Sequence, residues 1–261
     1  MKTGIKRICV FLEKKYKVRI LFAVENGSRA WRMASKNSDY DVRFVFARPL
    51  EEYIQINSPS DVINAFFDDK GKETNTENAL IDFSGFDIFK YVKMLSSSNP
   101  TTIEWLITDI VYFGKQNRVF RNFAMSNFNK ISLYHHYKSM CRNNYLKYLK
   151  SGDLVTYKKY LYAYRGLVNA KWVAVKGTIP PIIFTEALKE MNEVIPANIL
   201  KELDKIIKLK SKGKEKDVVR NIVPMDRYIE EFLKDNSEAP KDKSYATLNE
   251  LNSEIRKIIL S

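Results

Sequence analysis

Two aspartates stand two residues apart at the start of an alternating apolar run, the pattern of a half-buried β-strand. Side chains two apart on a strand point to one face, so Asp39, Asp41 and Arg43 are predicted to share a side. The side chains predicted to face the core instead are those of Val42, Phe44 and Phe46. Two converging carboxylates repel one another unless a cation neutralises them, and oxygen ligands favour Mg²⁺ or Mn²⁺. The spacing therefore predicts a divalent-metal site.

A Gly-Ser pair, Gly27-Ser28, precedes these aspartates by ten residues and follows an apolar strand. A loop and short helix are predicted from Gly27 to Ala34, and free N–H groups at a helix start favour a phosphate. Gly27 allows close backbone approach, Ser28 adds a hydroxyl donor, and Arg29 and Arg32 add positive charge. The segment is typical of a phosphate-binding turn beside a metal.

A third carboxylate on a neighbouring strand would complete a two-metal site. Asp82 is the first candidate, because it lies between the apolar residues Ile81 and Phe83 and would point to the face opposite theirs. Asp87 is the competing candidate. Its position after Ser84-Gly85-Phe86 also fits a carboxylate that only favours the dipole at a helix start.

The elements that must position these residues alternate between helix and strand in the first third of the chain. The fold class is therefore α+β, with a mixed sheet, flanking helices and a helical C-terminal part. Predicted helices end near residue 16, begin near residue 86, and are broken and restarted at Asn99-Pro100. Predicted strands cover residues 18–24, 41–47 and 79–83, with residues 62–67 a strand or a helix turn.

The formal net charge of +13 is concentrated in one region of the chain. Residues 116–176 contain twelve Lys and Arg against one acid, Asp153, interleaved with tyrosines. Clustered cations bind a phosphate backbone and aromatic rings stack on bases, so this stretch is predicted to contact RNA. Some of the tyrosines must belong to the core. We predict a catalytic domain over residues 1–115 and a helical, basic substrate-binding domain over residues 116–261.

Several other classes of protein are disfavoured by the composition. No signal-peptide pattern or apolar run of membrane-spanning length is visible, so a cytoplasmic protein without a membrane partner is expected. Cys9 and Cys141 are isolated and are predicted to be buried free thiols. His135 and His136 are adjacent within a predicted helix, which argues against a two-histidine metal site or a catalytic triad.

The spacing GS-x10-D-x-D with a later strand aspartate resembles the DNA polymerase β-type nucleotidyltransferase superfamily. More narrowly, the strings GSRAWRMASKNSDYDVRFVFARPLEEY, SGFDIFKYVKMLSSSNPTTIEWL and KKYLYAYRGLVNAKW are similar to predicted nucleotidyltransferases of the RNA repair pathway polymerase β family. The family pattern has Gly where this chain has Arg32 and Trp where it has Phe86, and neither change removes a carboxylate.

The resemblance implies a polymerase-β-like palm and nucleotidyl transfer from an NTP with Mg²⁺ or Mn²⁺. It implies Asp39, Asp41 and Asp82 as metal ligands and Gly27 and Ser28 as phosphate-binding residues. Its pathway also implies an RNA acceptor, either tRNA or an RNA-repair substrate.

The residues predicted to contact nucleotide or RNA from the helical domain are Lys158, Lys159, Tyr162 and Arg165. These four residues also fit a salt-linked helix packed on its neighbours. Two alternative functions remain: a protein nucleotidyltransferase that AMPylates a toxin-like partner, and an inactive RNA-binding module.

Overall fold

The computed structural model describes residues 1–35, 38–57, 59–150, 152, 154–214, 217–235, 237–241 and 247–261. Contacts divide the chain into two compact units. The first unit comprises Met1–Ala30, Asp39–Phe128 and Tyr245–Ser261, and the second comprises Trp31–Ser38 and Asn129–Ser244. The predicted assignment of residues 1–115 to catalysis and 116–261 to substrate binding remains a prediction.

A five-stranded mixed sheet forms the centre of the first unit. Its strands, in chain order, are β1 (Arg19–Asn26), β2 (Tyr40–Ala47), β3 (Val62–Phe67), β4 (Ile81–Asp87) and β5 (Val111–Gly114). They lie side by side in the order β3-β4-β2-β1-β5, with β2 and β4 parallel and the other neighbours antiparallel. The strand alternative for residues 62–67 is thus the correct one.

Helices pack on both faces at the centre of the sheet, because β1 and the second half of β2 bury successive residues, whereas β3 and β4 alternate buried and more exposed ones. The helices of the first unit are α1 (Lys2–Tyr16), α2 (Gly27–Ala30), α3 (Leu50–Tyr53), α4 (Ile88–Ser96), α5 (Pro100–Ile107), α6 (Arg118–Asn127) and α12 (Asn249–Leu260). The apolar side of α1 shares one core with Val42, Phe44 and Phe46, which are fully buried as predicted. Phe22 of β1 packs instead against Tyr91 of α4, at 5.8 Å between ring centroids.

The loop and short helix predicted from Gly27 to Ala34 are present, with the helix over Gly27–Ala30 and a turn after it. Arg32, in this turn, adopts a φ of 56°, in the left-handed region that favours glycine. The resemblance described above implies Gly at this position, which this backbone conformation would favour. The helix expected near Phe86 begins at Ile88, because β4 continues its pairing with β2 as far as Asp87.

The second unit is mainly helical. Its helices are α7 (Lys130–Asn144), followed by a π-helical turn (Tyr145–Leu149), α8 (Tyr157–Lys176), α9 (Phe184–Glu190), α10 (Ala197–Ser211) and α11 (Val223–Lys234). A small antiparallel sheet joins β6 (Leu154–Thr156) to β7 (Val218–Arg220). Gly166 lets α7 and α8 approach closely, since a Cβ there would lie 2.6 Å from the Cys141 nitrogen.

The α+β class is confirmed, with a small two-stranded sheet among the C-terminal helices as an addition. Cys9 and Cys141 are buried free thiols, as predicted. Over the described ranges, no helix combines the length and apolar character needed to span a bilayer.

Candidate active site

Asp41 and Asp82 lie opposite one another on the two parallel strands β2 and β4. Their side chains retain 30% and 35% exposure, so both carboxylates can be reached from solvent. The apolar neighbours Ile81 and Phe83 are buried on the other face of β4. The structure therefore brings together the two aspartates that the sequence predicted on separate strands.

The Arg43 guanidinium bridges these carboxylates from the same face of β2. Its Nη2 donates to Asp41 Oδ1 at 3.3 Å and to Asp82 Oδ2 at 3.0 Å. Its Nη1 donates to the main-chain oxygens of Val42 at 3.1 Å and Asp82 at 3.0 Å. A protein cation thus offsets the repulsion between the two aspartates.

Gly27 stands against the Asp41 side chain at the end of β1. Its φ is 63°, and a Cβ there would overlap Asp41 Oδ2 and lie 2.9 Å from Asp41 Cγ. Ser28 follows in α2 and is 7% exposed. The glycine at this position thus has a steric basis, because only glycine leaves room for this carboxylate.

Asp39 precedes β2 and is exposed. Its main-chain oxygen accepts a hydrogen bond from Arg29 Nε at 3.1 Å, and the Arg29 guanidinium lies 3.7 Å from the centroid of the Tyr40 ring. No three His, Cys, Asp or Glu side chains lie close enough to hold an ion by themselves within the described part of the chain. Asp39 is close to Asp41 in sequence, but it does not complete a cluster of three carboxylates with Asp41 and Asp82.

Glu25 is a buried carboxyl group that the sequence analysis missed. It is 1% exposed; its Oε1 accepts a hydrogen bond from the Asp41 amide at 2.9 Å, and its Oε2 accepts one from the Tyr112 hydroxyl. Burial, the largest cause, raises the pKa of Glu25 to about 7. An acidic residue inside the apolar strand RILFAVEN was the available signal.

Asp87, the competing third carboxylate, lies five residues beyond Asp82 on β4, opposite Phe46. It caps α4 by accepting a hydrogen bond from the Phe89 amide at 2.9 Å, and it accepts another from the Tyr53 hydroxyl at 2.7 Å. Burial raises the pKa of Asp87 above its ordinary value. This position matches the alternative in which Asp87 serves the helix start.

Lys158 and Lys159 lie half-buried at the start of α8 in the second unit. Lys159 Nζ is 3.4 Å from the centroid of the Tyr148 ring, and Lys147 Nζ is 5.0 Å from it. The hydrogen bond from Lys147, followed by the charge of Lys159, lowers the pKa of the half-buried Tyr148 phenol. These side chains, which we name the lysine-tyrosine cluster (Lys147, Tyr148, Lys158 and Lys159), form a positively charged surface.

Arg165 and Tyr162 occupy a different environment on the same helix. Arg165 is 2% exposed, with its guanidinium 3.7 Å from the Trp31 ring centroid, and Tyr162 meets that ring edge-on at 5.5 Å. Arg165, one of the four residues predicted to contact nucleotide or RNA, is thus buried. Most tyrosines of the basic stretch are core residues as well: Tyr134, Tyr137, Tyr145, Tyr160 and Tyr164 are at most 4% exposed.

Comparisons with known proteins cover nearly the whole chain. The sequence profile of the RNA repair pathway DNA polymerase beta family (RlaP) matches residues 1–257. Uncharacterized protein YcgL of Bacillus subtilis (strain 168) is 35% identical over 256 residues, which cover 96% of this chain and 92% of that protein. A nucleotidyltransferase-like protein from Exiguobacterium sibiricum 255-15, of known crystal structure, is 11% identical with a TM-score of 0.30, over 98% of this chain and 88% of that one.

Proposed function

The chain belongs to the RNA repair pathway DNA polymerase beta family, and from that premise we propose that it is a divalent-metal-dependent nucleotidyltransferase acting on RNA. It moves an NMP from an NTP to a hydroxyl group of the acceptor, with tRNA or a damaged RNA as the preferred class. The family is nucleotidyltransferase-like and of the polymerase β type. The metal, the nucleotide and the acceptor are our proposal.

The observation that carries the proposal is the pairing of Asp41 with Asp82 beside Gly27. Two carboxylates are held side by side and open to solvent on the interior strands β2 and β4, and one arginine, Arg43, offsets only part of their combined formal charge. They are well suited to bind a hard cation, because Mg²⁺ is commonly held by one or two carboxylates together with substrate phosphates. Two adjacent, solvent-accessible carboxylates fit such an ion, and the absence of a Cβ at Gly27 allows the Asp41 carboxylate to lie where it does.

We assign Asp41 and Asp82 as the principal ligands, with the exposed Asp39, two residues before Asp41, as the third. When bound, Mg²⁺ or Mn²⁺ supplies the positive charge that activates the attacking hydroxyl and stabilises the triphosphate. The capping position of Asp87 makes Asp82 the better choice of the two candidates on β4.

Other groups of the first unit hold this arrangement in place. Glu25 fixes the main chain of Asp41 through its amide, and Tyr112 fixes Glu25 in turn. Gly27 and Ser28 form the turn where the phosphates bind, and Arg29 stays beside Tyr40 and the Asp39 carbonyl as a nearby cation. These residues orient the carboxylates and balance the charge of the triphosphate.

RNA is the acceptor best supported by the charge distribution. The lysine-tyrosine cluster contains two adjacent, half-buried lysines of α8, in a stretch that has twelve basic residues and one acid. Lys158 and Lys159 are the phosphate-binding pair in this proposal, and Tyr162 and Arg165 have a secondary role because they pack against Trp31. Base stacking is confined to the few tyrosines outside the core.

The test is transfer of label from each α-labelled NTP, with Mg²⁺ or Mn²⁺, to total RNA that includes tRNA. Asp41→Asn should reduce the transfer rate at least about a hundredfold, because a neutral amide binds the cation poorly. Its free energy of unfolding should change by less than about 1 kcal/mol, since Asp82 still neutralises Arg43. Asp69→Asn, which removes an exposed acid from a turn, is the matched control and should retain full activity.

Each outcome of this assay has a distinct meaning. Label on RNA that disappears in Asp41→Asn supports the proposal and identifies the nucleotide. Label on protein would replace the RNA acceptor by the protein-modifying alternative. RNA binding without any transfer, by wild type and variant alike, would favour the inactive binding module and contradict catalysis.

A further inference from the structure

Arg43 makes four hydrogen bonds, and they fall into two different groups. Nη1 bonds to two main-chain oxygens, those of Val42 and Asp82, whereas Nη2 bonds to one carboxylate oxygen of Asp41 and one of Asp82. The side chain is only 16% exposed. The main-chain bonds involve groups that neither ionise nor move with the carboxylates, so the guanidinium is anchored to the sheet itself.

This anchoring determines the orientation of the Asp41 and Asp82 carboxylates. Each gives one oxygen to the same nitrogen of Arg43, Oδ1 from Asp41 and Oδ2 from Asp82. The other oxygen of Asp41, Oδ2, lies on the side of Gly27, where a Cβ would overlap it. A planar guanidinium fork holds such orientations more strictly than an ammonium group, which has no fixed donor directions.

We propose that Arg43 is the positioning residue of the carboxylate pair and that its charge makes the pair a poor site for a bare divalent cation. This inference rests on the proposed metal-dependent function. Asp41, Asp82 and Arg43 together carry a formal charge of −1, from two carboxylates and one guanidinium. A cation bound by that group is held firmly only when the triphosphate brings further oxygen ligands.

The consequence is an order of binding in which the nucleotide and the cation enter together. Without Arg43 the aspartates carry −2, and Coulomb attraction for a divalent ion at this short distance increases. The charge of Arg43 therefore lowers the affinity of the carboxylate pair for the free ion. Its hydrogen bonds keep the two carboxylates oriented for the metal–nucleotide complex. These two effects can be separated experimentally.

The experiment measures Mn²⁺ binding to the full-length protein by electron paramagnetic resonance, without NTP or RNA. Arg43→Gln should bind Mn²⁺ at least about tenfold more tightly than wild type, because one positive charge next to the ion is removed. Arg48→Gln is the matched control. It removes another half-buried arginine of the same unit, which pairs with Glu52 just beyond β2, and should leave Mn²⁺ binding unchanged.

Arg43→Lys keeps the charge but loses the fork, and it provides a second readout if Arg43→Gln does not fold. It should bind free Mn²⁺ within about threefold of wild type, and kcat for transfer should fall at least about tenfold with KM for the NTP little changed. Arg43→Gln that binds Mn²⁺ no more tightly than wild type, with an unchanged melting temperature, overturns the inference, as does Arg43→Lys with wild-type kcat.

Asp41→Asn separates this inference from the function on which it rests. If Asp41→Asn, introduced into the tighter-binding Arg43→Gln protein, does not weaken Mn²⁺ binding, the proposed metal site is wrong and the role of Arg43 fails with it. If Asp41→Asn loses Mn²⁺ while Arg43→Gln behaves as wild type, the metal site stands and only the inference about Arg43 is refuted.

Discussion

At the scale of single residues, Gly27 connects backbone conformation with the candidate chemistry. Its φ of 63° is strained for residues with a Cβ, and the space that a Cβ would fill is taken by the Asp41 carboxylate. A glycine that is needed only for its backbone conformation would not also require this close approach of a neighbouring side chain. Here the turn and the carboxylate are in van der Waals contact, so a change in one displaces the other.

Gly27→Ala is therefore expected to lower the free energy of unfolding by about 1–3 kcal/mol, through backbone strain and overpacking. It should also reduce nucleotidyl transfer about a hundredfold, because a carboxylate displaced by 1 Å is misplaced for catalysis. Urea unfolding and the labelled-NTP assay measure the two effects.

Gly4→Ala is the matched control for this substitution. Gly4 lies in α1, and a Cβ there meets nothing within 4 Å. The free energy of unfolding should rise by up to about 1 kcal/mol from improved helix propensity, with transfer unchanged. A Gly27→Ala protein that matched wild type in both measurements would show that the turn and Asp41 can separate without loss.

At the scale of secondary-structure elements, the junction between β4 and α4 explains why the chain contains two aspartates five residues apart with different roles. Asp82 lies inside the strand and faces solvent, whereas Asp87 ends the strand and caps the helix. Asp87 is 5% exposed and holds both the Phe89 amide and the Tyr53 hydroxyl. Burial nevertheless raises its pKa, so the folded protein binds a proton at Asp87 more readily than the unfolded chain does.

Asp87→Asn should accordingly change how stability depends on pH. As the pH rises from about 4, the unfolded chain loses the Asp87 proton first, so this group makes the wild type progressively less stable until its raised pKa is passed. Asparagine keeps a capping oxygen and does not titrate. Urea unfolding at several pH values between 4 and 7 should therefore show wild type losing stability relative to Asp87→Asn.

A difference between these two proteins that stayed constant over the same pH range would contradict the raised pKa of Asp87. Asp69→Asn is the control. This exposed acid lies in a turn of the same unit, and an exposed surface charge contributes little to the pH dependence of stability.

At the scale of the whole molecule, the basic residues are clustered in sequence, and they also differ in whether they are available to bind a nucleic acid. Lys138 and Lys171 belong to the basic stretch but are buried, with Lys138 bonded to the Asp235 carbonyl and Lys171 paired with Glu238. Arg165 is buried against Trp31. The cations that remain for a nucleic acid are thus fewer than the composition indicates, and Lys158 and Lys159 are the adjacent pair among them.

Replacing Lys158 and Lys159 together by Ala should weaken binding of single-stranded RNA and reduce the slope of log K against log salt by about 1.4, the equivalent of two phosphate contacts. Filter binding at several salt concentrations measures the slope. The matched control replaces Lys205 and Lys208 of α10, which pair with Glu202 and Asp204, and removes the same amount from the formal net charge of +13. Equal slopes for both double variants would mean that RNA responds to net charge and does not contact the lysine-tyrosine cluster.

Local sequence determined much of this protein. Alternation of apolar and polar residues set the faces of β2 and β4, so Asp41 and Asp82 were correctly directed away from Ile81, Phe83 and the other core residues. Asn99-Pro100 likewise specified a helix start, because the Asn99 side chain caps the Thr101 amide. Such features depend on neighbours a few residues away, which the sequence displays directly.

Only the tertiary structure decided which of these local features meet. The parallel pairing that sets Asp41 against Asp82 joins strands 41 residues apart, and side-chain alternation specifies a face without specifying a register. The bridge by Arg43 and the support from Glu25 and Tyr112 follow from that register. Composition marked the tyrosines of the basic stretch as a stacking surface, but close packing of α7 on α8 at Gly166 buries most of them, because burial depends on neighbours distant in the chain.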